Sequence, residues 1–72
     1  MTNEELILKA REQIRAMERP NSFGAPFDAY DEARVVQTTL IYFGSQKRSD
    51  YIEALLNSET GELISMVYHP LL

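Results

Sequence analysis

Two hydrophobic rhythms run along this chain. Near its start, Ile7, Ala10, Ile14 and Met17 recur at three- and four-residue steps, with Leu6 beside them. That spacing marks a helix with one buried face, and it predicts a helix over residues 3–18. Lys9, Arg11, Glu12, Gln13 and Arg15 fall on the other side. Thr2 and Glu5 have the spacing at which each side chain can bond the other's backbone N–H. Glu4 and Glu5 also put negative charge where the helix dipole favours it. Arg19-Pro20 closes the helix, because the residue before a proline is pushed out of helical geometry.

From residue 33 onward the period falls to two. "ARVVQTTLIYFG", residues 33–44, predicts one long strand whose faces are Val35, Gln37, Thr39, Ile41, Phe43 and Val36, Thr38, Leu40, Tyr42. The polar "GSQKRSD" follows as a turn. A second strand is predicted over about 50–56 and a third over 62–68, joined by "NSETG". Ala54, Leu55 and Leu56 also suit a helix, but the bracketing turn signals and the short run favour a strand. Between helix and sheet lies the linker "PNSFGAPFDAY", residues 20–30, with two prolines and a glycine against regular structure. A short helical turn over residues 28–33, capped by Asp28, fits its end. The expected architecture is α+β: a single domain, residues 1–72, with an N-terminal helix packed on a three-stranded antiparallel sheet.

One helix covers one face of such a sheet, and the other face is expected to be polar. Here it is not. The third strand sets Leu63 and Val67 against Ile64, Met66 and Tyr68, and the second sets Ile52, Ala54 and Leu56 against Tyr51 and Leu55. Something besides the helix should therefore cover one face. The aromatic linker and the C-terminal "HPLL" could fold over it, or a second copy could. A 72-residue chain has a thin core, which favours the second copy. Phe23, Phe27, Tyr30, Tyr42, Tyr51, Met66 and Tyr68 are the candidate interface residues, since aromatics dominate binding hot spots. For the three in the linker, plugging the end of the core is the competing role.

Composition narrows the chemistry. There is no cysteine and one histidine, which excludes disulfides and the usual structural zinc sets. Three scattered glycines spell no phosphate loop, so no metal, nucleotide or covalent cofactor is expected. The net charge is −4, and the seven basic residues do not cluster, which argues against direct nucleic-acid binding. The N-terminus carries acids where an export signal carries positive charge, and its apolar run is only Leu6-Ile7-Leu8. The expectation is a cytoplasmic protein that makes no use of a membrane.

Two stretches invite a catalytic reading. "NSETGE" is built of turn formers, with Gly61 suited to the left-handed position that closes a hairpin loop. No histidine stands near Ser58, Glu59 and Thr60. His69 sits at a strand end beside Pro70, and no sequence neighbour is nominated to orient it. No serine lies in a nucleophile-elbow context. The expectation is a protein without enzymatic activity.

Residues 35–68, "VVQTTLIYFGSQKRSDYIEALLNSETGELISMVY", resemble the PepSY-type module in their order of a strand, a variable turn, a tyrosine opening the next strand, and an N-x-x-T-G-E-hydrophobic turn. The chain departs from that family in having Asn57 where an aspartate is common, an aromatic linker, and no export signal. The resemblance implies a small helix-on-sheet module that binds or restrains a protein partner and catalyses nothing. Together these readings favour a protein-binding module or small regulator that forms a homodimer through its sheet. A second possibility is a small acidic inhibitor, of the kind carried by phages and mobile elements, that occludes a nucleic-acid-binding site on its target.

Overall fold

A computed structural model of the chain describes residues 1–17 and 23–70. It has one helix, α1 (Asn3–Met17), a short 3-10 turn (Phe27–Ala29), and four strands: β1 (Glu32–Gln37), β2 (Leu40–Ser45), β3 (Arg48–Leu56) and β4 (Leu63–His69). The strands form one antiparallel sheet in the order β1-β2-β3-β4. The α+β class is as expected, but the strand count is four rather than three. The predicted long strand is a hairpin that folds back at Thr38-Thr39.

The local sequence explains α1. The Glu5 N–H donates to Thr2 Oγ1 at 3.1 Å, and the Thr2 N–H and hydroxyl reach Glu5 Oε1 at 3.5 and 3.2 Å. Two of the donors orphaned at the helix start are thereby satisfied. The buried stripe is Leu6, Ala10 and Ile14, a turn apart from one another. It is rotated from the expected stripe: Ile7 is half-buried at its edge, and Met17 is exposed. The side opposite the stripe is not simply solvated. Arg11 lies over the Phe27 and Phe43 rings, 5.5 and 5.1 Å from their centroids, and donates to the Tyr30 carbonyl. Burial lowers its pKa, with neighbouring Arg15 adding to the effect.

α1 covers the inner face of the sheet. Ile41 and Phe43 of β2 and Ile52, Ala54 and Leu56 of β3 are all buried there against Leu6, Ala10 and Ile14. The linker closes the end of this core, with Phe27 and Tyr30 fully buried. Asp28 caps nothing. It lies on the surface and pairs with Arg15 at 2.6 Å, an exposed contact of little energetic weight. Residues 20–22 of the predicted linker, the end of the predicted helix at residue 18, and the last two residues of the tail lie outside the described residues. No helix among the described residues is long and apolar enough to cross a membrane.

The loop between β3 and β4 is a turn in every particular. Asn57 Oδ1 accepts from the N–H groups of Glu59 and Thr60 at 2.8 and 3.1 Å, the Glu62 N–H donates to Thr60 Oγ1, and Gly61 takes φ +75°. The Asn57 and Thr60 side chains are thus spent on the loop's own backbone. Gln13 then fastens α1 to the far end of the loop, donating to the Gly61 carbonyl at 2.8 Å and accepting from the Leu63 N–H at 2.7 Å.

The β1–β2 turn is strained. Thr38 has φ +45°, a left-handed conformation that a β-branched residue adopts at a cost of about 1–2 kcal/mol. Thr38→Gly should therefore raise stability by roughly 0.5–1 kcal/mol, the strain relieved less the extra entropy of glycine in the unfolded chain. Urea unfolding monitored by circular dichroism measures it, and a lower midpoint for the variant would contradict the hairpin.

Candidate protein interface

The strand registers sort the candidate residues onto two faces. Ile52 pairs with Tyr68 and Ala54 with Met66, so Met66 and Tyr68 point inward with the core. The alternation read along β4 is broken between Leu63 and Ser65, where Ile64 is an extra residue in the ladder. This bulge turns Leu63 inward with Met66 and Tyr68 and leaves Val67 and His69 outward. Met66 and Tyr68 therefore stand on the core side of the sheet, partly buried, while Phe27 and Tyr30 have no exposed surface. Phe23 is half-buried, with its ring 6.1 Å from those of Phe27 and Tyr30 and 5.8 Å from that of Tyr68. Of the two linker roles, these aromatics take the core plug.

What holds that plug is a buried carboxylate. Asp50, at the start of β3, is 3% exposed. It accepts from the Tyr30 hydroxyl at 2.6 Å and the Tyr68 hydroxyl at 2.8 Å, while Arg48 grips both of its oxygens at 2.8 and 3.1 Å. Burying a charge is costly unless it is paired and hydrogen-bonded, and here every side of the carboxylate is occupied. The Arg48 bonds hold the Asp50 pKa well below its ordinary 3.8, the tyrosine bonds adding to the effect against the opposing influence of burial. Tyr30 responds in the other direction: burial and the bond to Asp50 raise its pKa to about 12. Gly24 seals the group from above. A Cβ at this position would stand 2.6 Å from Tyr68 Oη and 2.7 Å from Asp50 Oδ2, so the linker backbone comes this close only because the residue is glycine.

Tyr42 and Tyr51 occupy the outer face, and there the rings form a row across the strands. The Arg34 guanidinium lies 4.8 Å from the Tyr42 centroid, Tyr42 is 5.4 Å from Tyr51, and Tyr51 stacks on His69 at 4.4 Å and 11°. His69 Nε2 lies 2.5 Å from Glu53 Oε1, without hydrogen-bond geometry. Around this row Val36, Val67 and Leu55 are 55%, 52% and 38% exposed, with Glu53 between Tyr42 and Val67 in the register. Nothing among the described residues screens them. Sequence reasoning did not single out Arg34, Val36 or Val67. Their outward phase became visible only once the register was fixed.

Among the described residues, no three histidine, aspartate or glutamate side chains converge to hold a metal ion. Asp50 is saturated by its partners, and His69 is committed to Tyr51 and Glu53. Comparison with protein-family models, curated proteins and solved structures finds no match to this chain.

The Asp50 cluster has a defined pH signature. The folded carboxylate has the lower pKa, so its contribution is complete above the unfolded value of 3.8 and is lost as pH falls below it. Asp50→Asn should cost about 2–3 kcal/mol near neutrality, since it uncouples a buried charge from a partly exposed arginine. The gap between variant and wild type should narrow in acid. Tyr30 has the higher pKa when folded, so its contribution is present below pH 10.0 and is lost as pH rises toward about 12. Tyr30→Phe should remove that alkaline loss. Chemical unfolding across the pH range measures both, and an Asp50→Asn deficit that does not change with pH would contradict the ionised, buried carboxylate.

Proposed function

We propose that this chain is a non-enzymatic protein-binding module, and that it binds a second copy of itself through the part of the sheet that α1 leaves bare. The exposure of Val36, Leu55 and Val67 on one sheet face carries the reading. Large apolar side chains left exposed together on one sheet face mark association sites in small proteins. Tyr42 and Tyr51 strengthen it, because half-buried tyrosines can give a ring to a partner and keep a hydroxyl in water. A chain with few buried side chains also has the most to gain from extending its core across an interface. The PepSY-like order of residues 35–68 supports the same class of function, a module that restrains or binds a protein.

Sedimentation equilibrium over a range of concentrations tests the proposal. The expected result is a reversible approach to twice the 8.3 kDa monomer mass. Val67→Asp should weaken association at least about tenfold, because it sets an unpaired charge in the contact without touching the core. A monomer mass that holds at every concentration would overturn the proposal.

A further inference from the structure

The two edges of the sheet differ in a way that bears on how a second copy is held. An unpaired strand edge is a template for another chain, and proteins ordinarily blunt such edges with charged residues, proline or bulges. β1 follows that rule, with Glu32 and Arg34 along it and a register irregularity between Val35 and Gln37. β4 does not. "LISMVYH" contains no lysine, arginine, aspartate, glutamate or proline, and its bulge lies at its start. The first part of this edge is already occupied, because the Gln13 amide takes the Leu63 N–H and the Gly61 carbonyl. Among the described residues, the stretch left open is Ser65–His69, and Pro70 follows it.

We propose that Ser65–His69 pairs antiparallel with the same segment of a second copy about a two-fold axis at Val67, joining two sheets into one of eight strands. The inference takes from the self-association proposed above that a second copy binds, and it seats the contact on the β4 edge at Val67, with Val36 and Leu55 outside it. In this register every opposed pair is compatible. Val67 meets Val67, Met66 meets Tyr68, and Ser65 meets His69. The faces agree as well, since Met66 and Tyr68 are both inward and Ser65, Val67 and His69 are all outward. A β-branched pair, a thioether beside an aromatic ring, and a hydroxyl beside an imidazole are each favourable neighbours across a strand pair. No charged residue faces its own like, which is the condition β1 fails to guarantee with Glu32 and Arg34. The groove of about 430 Å³ between α1 and β4, lined by Ala16, Met17, Leu63 and Met66 among others, runs along the same edge, and the second copy closes its open side.

The absence of cysteine makes this register directly measurable. Val67→Cys supplies the sole thiol in a full-length chain, and in the paired dimer it faces its own copy. Leu55→Cys, one strand inward on the same outer face, is the control. Under mild oxidation Val67→Cys should form a covalent dimer roughly tenfold faster than Leu55→Cys, since thiols bridge readily only when their Cβ atoms lie within about 4.5 Å. Sedimentation equilibrium of the unsubstituted chain is run beside it. A dimer by sedimentation with fast bridging at Val67 establishes the edge pairing. A dimer in which Val67→Cys bridges no faster than Leu55→Cys overturns the edge register and leaves self-association standing. A monomer at every concentration overturns both.

Discussion

A single buried carboxylate ties the separate parts of this small protein together. Asp50 is the third residue of β3, yet its partners come from the linker through Tyr30, from the end of β4 through Tyr68, and from its own strand through Arg48. Ionised and desolvated, it is tolerable only while all of these donors stay in place. Losing any one leaves the charge partly unsatisfied, so the group acts as a positional constraint more than as a source of net stability. It fixes the linker over the end of the core, and the linker in turn brings Phe27 and Phe23 into place. Without that constraint a proline- and glycine-rich segment would have little to specify its path.

The two faces of the sheet divide the aromatic residues by what surrounds them. Inward, Tyr68 and Tyr30 have hydroxyls that find a carboxylate, and Phe27 packs edge-on to Phe43 at 5.3 Å. Outward, Tyr42 and Tyr51 stack with each other, with Arg34 and with His69, where hydroxyls can stay in contact with water. The same residue type thus anchors the core on one side and dresses an open surface on the other. That outer row gives the sheet's exposed side a defined shape, unlike a loose scatter of apolar residues.

Much of this was legible in the chain itself. The capping pair, the turn chemistry of residues 57–62 and the strand expected over about 50–56, which the structure starts at Arg48, each had a local cause that the sequence spelled out. The β1–β2 hairpin had none. Thr38 and Thr39 are strand formers, and threonine is a poor choice for positive φ. The extra residue at Val36 also hides the turn: Val35 pairs with Ile41 and Ala33 with Phe43, so odd-numbered residues face inward on both strands. The alternation therefore runs through the turn without a break in phase, and a hairpin and one long strand read alike. The Asp50 cluster was hidden for a different reason. Its tyrosines stand 20 and 18 residues away, and an aspartate beside a polar turn reads as part of the turn. The β4 bulge was equally silent, and it reversed the side on which Met66 and Val67 fall.

The sheet order has a consequence for how the chain reaches this state. Every strand lies beside its neighbours in sequence, so each pairing closes only a short loop and costs little chain entropy. α1 is the exception. It precedes the sheet, but the surface it covers is assembled from Ala33 to Leu56. A fifteen-residue helix standing alone is marginal in water, whatever its caps. Growing from its N-terminus, the chain therefore holds its first element in reserve until most of the rest has been made. The meander can form behind it hairpin by hairpin, and the helix closes over the finished face at the end.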